Sequence, residues 1–392
     1  MNPKHILASP HAVNQYFSWA VAGVLSLASA SAAAGQFRLF IGTYTGPKSE
    51  GVYTATFDSD TGTVGDPKLA AKSVNPTFIA ISPSEKFLFA ANEESHWMKQ
   101  KGGYLTAFQI DSATGNLTEL NQQSSVGDGP CHVVVDKDGK YLLAANYGGG
   151  SFVALPINAD GSLQANTFFT QFKGSSVNKA RQGEPHAHSS HFSPDGRAVY
   201  VCDLGTDLLH AFDFDSTNGV KSAHADWDAT VAPGSGPRHA AFSPDGHQLY
   251  VINEMLSTIT VFSYDEGARK LAAIQTISTL PSDFKGDTST AEVRVHPSGK
   301  FVFGSNRGHD SIAVFARDAE TGKLTAIEQT KTGGKTPRNF NLDPSGKFLF
   351  AANQSTDNIT VFRIDESTGH LSKLDRELAV GAPVCLRFIA VK

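Results

Sequence analysis

Histidine, arginine and glutamate residues recur at matching points of one repeated segment of this chain. In the clearest copy, PRHAAFSPDGHQLYVINE, Arg238 and His239 follow a proline that opens an apolar strand. Glu254 follows the asparagine that ends the next strand. Arginine binds two oxygens of a carboxylate or phosphate at once, and histidine and glutamate exchange protons with bound molecules. These residue types together predict acid–base chemistry on a small anionic molecule.

The segment recurs about seven times along the chain, at spacings of about fifty residues. Each copy contains an apolar strand, a turn such as Ser-Pro-Asp-Gly, a second strand that mostly ends in Asn, and a third strand such as Ile-Thr-Val-Phe. Glycine-containing turns, such as Thr61-Gly62 and Thr368-Gly369, lead on to a fourth strand. The pattern predicts an all-β fold, a seven-bladed β-propeller with four antiparallel strands per blade.

The first and last copies of the repeat are incomplete in a complementary way. RLFIGTY, from Arg38, has no preceding strand and turn, and PVCLRFIAV, from Pro383 to Val391, supplies the missing strand at the other end of the chain. We therefore expect a ring closed by a C-terminal strand that joins the N-terminal blade. An open solenoid is the alternative, but it needs capping repeats and has no use for a divided unit.

Propeller geometry brings distant residues of this repeat together. A tight turn joins the first two strands of a blade, so the start of the first strand and the end of the second meet at one face of the ring. The residues after the strand-opening position are Thr77, Cys131, His188, Arg238, Ala291, Arg338 and Val384, followed by Phe78, His132, Ser189, His239, Glu292, Asn339 and Cys385. The residues after the second strand are Tyr44, Glu93, Tyr147, Leu204, Glu254, Arg307 and Gln354. This charged rim predicts a binding site at the mouth of the central channel.

Each candidate also has a purely structural interpretation. Arg338 could pair with a neighbouring carboxylate, and Glu292 could brace Arg294 or Arg307. His132 and His239 could be packed or bonded to the backbone.

A metal site could be built from His186 and His188 with Glu184. His191 could not easily join them, because residues three apart on a strand face opposite sides. We therefore expect no metal and no cofactor.

The N-terminal stretch differs in composition from the repeats. Lys4 and His5 precede the apolar stretch FSWAVAGVLSLASA and the small residues Ala32, Ala33 and Ala34. This order is typical of a secretory signal peptide, and the apolar core is too short to span a bilayer comfortably. We expect residues 1–34 to be a signal peptide and residues 35–392 the propeller. The mature protein would then be periplasmic or secreted, without a membrane anchor, and cytoplasmic if the leader is not cleaved.

Composition narrows the classes of partner. A formal net charge of -5 is unlike a nucleic-acid-binding surface, which needs a basic stripe. Three cysteines, Cys131, Cys202 and Cys385, fall in different repeats, so we expect buried thiols. The expected partner is a small anionic lactone or carboxylate, and the expected state is a monomer or weak oligomer.

Four segments of the chain carry a resemblance to a known family. They are GPRHAAFSPDGHQLYVINE, PHAHSSHFSPDG, SNRGHDSIAVF and TPRNFNLDPSGKFLFAANQ. The chain resembles the lactonase propellers, which include propeller-type 6-phosphogluconolactonases and fungal carboxy-muconate cycloisomerases, from about Phe37 to Val391. The resemblance implies a site with His188, Arg238, Glu254 and Arg307, with Arg338 nearby.

The leading hypothesis is hydrolysis of a sugar lactone, most simply 6-phosphogluconolactone or a related aldonolactone. Glu254 or His188 would act as base and the other as proton donor, while Arg238 and Arg307 stabilise negative charge. The predicted catalytic residues are His188, Arg238, Glu254 and Arg307, and the predicted substrate-binding residues are His132, His186, His239, Glu292 and Arg338.

Two alternatives stay open from the sequence. The same site could run a muconate-type cycloisomerisation, or an exported propeller could bind a ligand or partner without catalysis. The insert FKGSSVNKARQGEPH, with Lys173, Lys179 and Arg181, could close over a phosphate or could be a solvated loop.

Overall fold

The computed structural model describes residues 35–391, and every regular element in that range is a β-strand. The expected leader, residues 1–34, lies outside the described residues. Within residues 35–391, no helix is long and apolar enough to cross a bilayer. The strands form seven antiparallel sheets of the predicted four-strand plan, and a short hairpin pairs His96–Trp97 with Gln100–Lys101. The predicted seven-bladed β-propeller is confirmed.

We number the blades 1 to 7 and give their strands from the channel outward. They are Pro383–Ala390, Gln36–Thr43, Gly51–Asp58 and a divided outer strand (Thr63–Val64 and Lys68–Lys72) in blade 1; Pro76–Ile81, Phe87–Asn92, Tyr104–Ile110 and Leu117–Ser124 in blade 2; Pro130–Val135, Tyr141–Asn146, Ser151–Pro156 and Phe168–Gln171 in blade 3; Ala187–Phe192, Ala198–Asp203, Leu208–Asp215 and a divided outer strand (Gly219–Ala223 and Ala229–Thr230) in blade 4; Pro237–Phe242, Gln248–Asn253, Thr258–Asp265 and Lys270–Ser278 in blade 5; Ser289–Val295, Phe301–Arg307, Ser311–Arg317 and Leu324–Lys331 in blade 6; and Pro337–Leu342, Phe348–Asn353, Asn358–Ile364 and Leu371–Ala379 in blade 7.

The ring closes through both ends of the described chain. The inner strand Pro383–Ala390 pairs antiparallel with Gln36–Thr43, and each of the seven inner strands contacts the next around the channel. Between blades 1 and 7, the ring of Phe57 meets Phe348 and Phe350 edge-on, with centroids 5.4 and 5.0 Å apart. Backbone hydrogen bonds and aromatic packing therefore fasten the closing blade, as the divided repeat predicts.

A β-bulge lies at the start of every inner strand. In blade 5, for example, Pro237 pairs with Asn253 and His239 with Ile252, which leaves Arg238 as the extra residue. The other extra residues are Val384, Thr77, Cys131, His188 and Arg338, and in blade 6 Ala291 and Glu292 share one partner position. Because a bulged residue leaves the regular alternation of the strand, it can be aimed independently of its neighbours. The fold thus frees one side chain per blade to point at the channel mouth.

Candidate active site

The predicted site residues surround two connected cavities at the channel mouth. The outer cavity, of about 240 Å³, is lined by Glu93, Cys131, Tyr147, Arg181, His188, Glu254, Arg307 and Arg338. A much smaller inner cavity is lined by Thr77, Phe78, Glu93, Cys131, His188, Arg238, His239, Arg338 and Val384. Four residues border both cavities, so they form one opening, which we call the mouth cavity. All four residues predicted to be catalytic lie on it.

Glu254 is held by guanidinium groups from three different parts of the chain. Its Oε2 lies 3.0 Å from Arg238 Nε and 2.9 Å from Arg307 Nη2, and its Oε1 lies 2.7 Å from Arg181 Nη2. Arg238 also donates to the carbonyl of Ala291 at 2.6 Å, and Arg307 to the carbonyl of Thr290 at 2.7 Å. Both carboxylate oxygens are therefore engaged by cations whose own positions are fixed.

These charges decide the protonation of Glu254. Burial acts to raise the pKa of its carboxyl, but the charges of Arg307 and Arg238 outweigh that effect and hold the pKa well below its usual range. Burial and the neighbouring Arg307 and Arg338 lower the pKa of Arg238 to about 10, so it stays charged at neutral pH. A carboxylate of this kind is a weak base. The geometry favours Glu254 as the anchor of the arginines, and His188 as the group that moves protons.

Replacing Glu254 by Gln is expected to lower the free energy of unfolding by about 3–5 kcal/mol, since it leaves buried arginine charge uncompensated. Because Arg238 is only 2% exposed, water cannot solvate its charge once the Glu254 carboxylate is removed. Urea unfolding measures the change. Glu266→Gln, in an exposed turn of blade 5, is the control and should stay within about 0.5 kcal/mol of the parent. A loss below about 1 kcal/mol for Glu254→Gln would show that the arginines do not depend on this carboxylate.

Arg338 carries a guanidinium with no carboxylate within ion-pair distance among residues 35–391. It donates through Nη2 to the hydroxyl of Tyr44 at 3.2 Å, and its guanidinium lies over the Tyr44 ring, 5.6 Å from the centroid. The possibility that Arg338 pairs directly with a neighbouring carboxylate is therefore not realised. Arg338 borders both parts of the mouth cavity and is available to an anionic ligand.

His188 occupies the bulge of blade 4 and is 4% exposed. Its Nδ1 lies 3.8 Å from the Cys131 sulfur, and its Nε2 forms no hydrogen bond with any described residue. Burial, with the charge of Arg238, holds the pKa of His188 well below its usual value. The imidazole is therefore neutral near pH 7 and can accept a proton. Burial also raises the pKa of the Cys131 thiol, which excludes it as a ready nucleophile.

Two predicted substrate-binding residues lie deeper in the channel, and neither lines the mouth cavity. His132 packs against Phe78, with ring centroids 4.3 Å apart, and accepts from the Ser190 amide at 3.4 Å. The Glu292 carboxylate binds His239 Nδ1 at 3.2 Å and the side-chain amide of Asn339 at 2.5 Å. These partners hold both residues in the channel wall. His239 does border the inner cavity, where it links this network to Arg238.

His186 also lies outside the mouth cavity. Its ring stacks on Tyr147 at 4.6 Å, and its Nδ1 is 3.0 Å from the Tyr147 carbonyl. His191 Nε2 lies 2.7 Å from Ser189 Oγ, and its ring centroid is 5.4 Å from that of His132. Within the described part of the chain, no three His, Cys, Asp or Glu side chains are grouped so as to hold a metal ion. His186 instead orients Tyr147, which borders the outer cavity.

The insert between blades 3 and 4 contributes one residue to the cavity. Arg181 reaches Glu254 and the Tyr147 hydroxyl, at 2.7 and 3.2 Å. Lys179 instead binds the Ser176 carbonyl of the same loop, and Lys173 is exposed. Gln182, fully buried, fastens the loop to the Leu204 carbonyl at 2.9 Å.

Several residues of the cavity were not among the predicted site residues. Tyr44 contacts Arg338 beside the cavity, and Glu93 and Tyr147 line it. All three directly follow the second strand of their repeat, so their place in the repeat was a signal that could have identified them as site residues. Arg181 could not be found this way, because its place depends on the path of the insert.

Comparisons with known proteins agree with this architecture. Residues 38–388 match the family model described as "Lactonase, 7-bladed beta-propeller". A 6-phosphogluconolactonase of Bacillus subtilis is 36% identical over 302 residues, 77% of this chain and 83% of that protein. A 6-phosphogluconolactonase of Formosa agariphila is 34% identical, over 77% of this chain and 85% of that protein. The structure of a periplasmic gluconolactonase of Pseudomonas aeruginosa superimposes with a TM-score of 0.84 at 32% identity, covering 91% of this chain and 100% of that one. With its bulged inner strands and arginine-lined mouth, the chain belongs to the lactonase family of seven-bladed β-propellers.

Proposed function

We propose that the protein hydrolyses a sugar lactone, most simply 6-phosphogluconolactone or a related aldonolactone. The observation that carries this proposal is the charge of the mouth cavity. Four guanidinium groups (Arg181, Arg238, Arg307, Arg338) and two carboxylates (Glu93, Glu254) give a formal surplus of two positive charges, beside a neutral imidazole. Such a cavity suits an anionic substrate and a reaction that develops negative charge on oxygen. The relatives named as 6-phosphogluconolactonase and gluconolactonase support the same class of reaction.

His188 is the proton-transfer residue in this mechanism. Water attacks the ester carbonyl carbon, a carbon–oxygen bond forms, and the imidazole takes the proton that the water loses. As the tetrahedral intermediate collapses, the bond to the ring oxygen breaks and His188 returns the proton to that oxygen. Atoms balance as lactone plus water giving a hydroxy acid, which ionises at neutral pH.

The arginines divide between three tasks. Arg338, which has no ion-pair partner among residues 35–391, is free to stabilise the oxyanion or a substrate carboxylate. Arg181, whose side chain is 45% exposed at the outer edge, is placed to meet a phosphate on the substrate's far end. Arg238 and Arg307 are neutralised in part by Glu254 and set the positive potential of the cavity.

Neither alternative function gains support from the relatives. The two 6-phosphogluconolactonases and the gluconolactonase are lactonases, and none favours the muconate-type cycloisomerisation considered from the sequence. A purely ligand-binding propeller would have no need of a neutral imidazole whose Nε2 has no hydrogen-bond partner among residues 35–391.

We further propose that the protein acts in the periplasm or outside the cell, after removal of residues 1–34. The charged start, apolar core and small-residue site of that stretch support this, as does the similarity to the periplasmic gluconolactonase of Pseudomonas aeruginosa. A small anionic lactone would be the partner, bound by a monomer or weak oligomer. Export is tested by cell fractionation and by the N-terminal sequence of the mature protein, and a cytoplasmic, uncleaved chain would overturn it.

Replacing Arg338 by Met is expected to lower kcat/KM for the lactone by about 10²–10³-fold, because a guanidinium aimed at the developing charge is removed. Proton release in weak buffer measures hydrolysis of 6-phosphogluconolactone and gluconolactone, with carboxy-muconate as the test of cycloisomerisation. Arg363→Met, which removes a guanidinium stacked on Phe348 in blade 7, is the control and should keep parental kcat/KM. If the parent protein hydrolyses neither lactone, the proposed function is wrong.

A further inference from the structure

Glu93 is the second carboxylate of the mouth cavity, and it differs from Glu254 in its partners. Its Oε2 accepts hydrogen bonds from the Tyr44 hydroxyl at 2.8 Å and from Thr77 Oγ1 at 2.7 Å. It forms no ion pair with any described residue, and its Oε1 accepts no hydrogen bond within residues 35–391. An ionised carboxylate can accept about four hydrogen bonds. Glu93 therefore keeps unused acceptor capacity on the wall of both cavities.

The surroundings of Glu93 fix its orientation. Thr77 is the bulged residue of blade 2, and Tyr44 is held from its other side by the guanidinium of Arg338. A carboxylate locked by two hydroxyl donors loses little further freedom when a ligand binds, so more of each new hydrogen bond is retained as affinity. This is the arrangement of a recognition group, and it is unlike a mobile surface carboxylate.

The two carboxylates give the mouth cavity two different ends. Around Glu254, both oxygens are engaged by arginines, and the local charge is positive. Around Glu93, Arg338 reaches the same Tyr44 hydroxyl, and Glu93 Oε1 is an acceptor without a donor among residues 35–391. A ligand that satisfies the cavity carries negative or developing negative charge for the guanidinium groups and hydroxyl groups for Glu93.

We infer that Glu93 Oε1 accepts hydrogen bonds from ring hydroxyl groups of the substrate, and so selects polyhydroxylated lactones over unsubstituted ones. This inference rests on the proposed lactone hydrolysis and names the residue that recognises the sugar part of the substrate. A site built to bond a hydroxyl group discriminates strongly against an analogue that lacks it, because the site's own polar group is then left without a partner. Glu93 acts on substrate selection, while His188 transfers the proton.

The test compares D-glucono-δ-lactone with δ-valerolactone, which has the same ring without hydroxyl groups. Glu93→Gln keeps an acceptor for Tyr44 and Thr77 but removes the anionic oxygen that faces the cavity. We expect kcat/KM for gluconolactone to fall about 10- to 100-fold, mainly through KM, which is the usual effect of losing a hydrogen bond to a charged group. For δ-valerolactone, kcat/KM should stay within about 3-fold of the parental value, because this substrate has no hydroxyl group that could bond Glu93. Glu93→Asp, which keeps the charge but withdraws it by one methylene, should give an intermediate loss on gluconolactone alone.

Glu94→Gln is the matched control, because it makes the same charge change one residue away. Glu94 lines neither cavity and accepts a hydrogen bond from the Asn75 side chain at 2.5 Å. We expect parental kinetics on both lactones. Equal losses on the two lactones in Glu93→Gln, or no loss on gluconolactone, would overturn the inference.

Binding separates failure of this inference from failure of the proposed function. If the parent protein hydrolyses neither lactone, calorimetry with gluconate and with 5-hydroxypentanoate still reports on Glu93. Weaker binding of gluconate alone in Glu93→Gln would support hydroxyl recognition without hydrolysis. Unchanged binding of gluconate would overturn it.

Discussion

Replacing His188 by Asn is expected to lower kcat for lactone hydrolysis by about 10²–10⁴-fold, with KM changed by only a few-fold. Asparagine keeps a polar side chain at the bulge of blade 4 but cannot accept and return a proton. Steady-state kinetics by proton release, corrected for spontaneous hydrolysis, measures the loss. His188→Ala should recover part of kcat when imidazole is added, since the added base can enter the vacated space.

The control for His188 is His224→Asn on blade 4. His224 stacks on Trp227, with ring centroids 3.8 Å apart, and lines neither cavity. Its replacement should leave kcat at the parental level. A loss in His188→Asn that appears in KM while kcat is kept would show that His188 binds the substrate without moving a proton.

The choice of His188 over Glu254 depends on side-chain pairing, which the sequence left open. His188 stands at the start of a first strand and Glu254 after a second strand, and both points meet at the channel mouth, so spacing alone does not choose between them. Three guanidinium groups engage both oxygens of the Glu254 carboxylate, while the neutral His188 imidazole keeps Nε2 without a hydrogen-bond partner among residues 35–391. The same two residues exchange roles if the arginines are placed differently, and only the folded arrangement fixes that placement.

The fold itself was predictable because its signals are local. Alternating apolar strands, Ser-Pro-Asp-Gly turns and glycine turns are read within each repeat, and Gly246, with φ of 76°, adopts the backbone that such a turn requires. Closure by the last strand followed from the divided unit alone. Convergence of Arg238 and Glu254 followed in turn from strand direction, since both are fixed by one hairpin.

What the repeat could not predict is which side each rim residue faces. His239 and Glu292 occupy the same register in neighbouring blades, yet only His239 borders the cavity. Both blades carry one extra residue at this point, but His239 pairs with Ile252, whereas Glu292 falls inside the bulge and its backbone N–H donates to Ser305 Oγ at 3.0 Å. A bulge shifts the alternation of every later side chain without leaving a mark in hydrophobic periodicity. The sequence likewise offered Arg181 only as one of three cations in the insert, and could not say which of them reaches the cavity.

The second large expected effect comes from the buried histidines of the channel, which make the free energy of unfolding depend on pH. Burial holds the pKa of His132, His188 and His239 well below the usual value of 6.5, and lowers that of His191 to about 4. In the unfolded chain these imidazoles regain ordinary pKa values. Below about pH 6.5 the unfolded state therefore binds more protons than the folded state, and stability falls as pH falls. His210 acts in the opposite direction, because Asp203 and Asp228 outweigh burial and raise its pKa to about 9.

From pH 7 to pH 5, the free energy of unfolding is expected to fall by up to about 7 kcal/mol. Each of the four channel histidines contributes at most about 1.9 kcal/mol over these two pH units, and His210 offsets about 1 kcal/mol of the total. Urea unfolding at fixed ionic strength across this range measures the slope. His132→Asn should reduce the slope by up to about 1.4 kcal/mol per pH unit, while His247→Asn, exposed in a turn of blade 5, should leave it unchanged. A stability that is flat between pH 7 and pH 5 would mean that the channel histidines take up protons without unfolding. Such uptake would place positive charge against Arg238 and Arg338, in the part of the cavity where the oxyanion is stabilised.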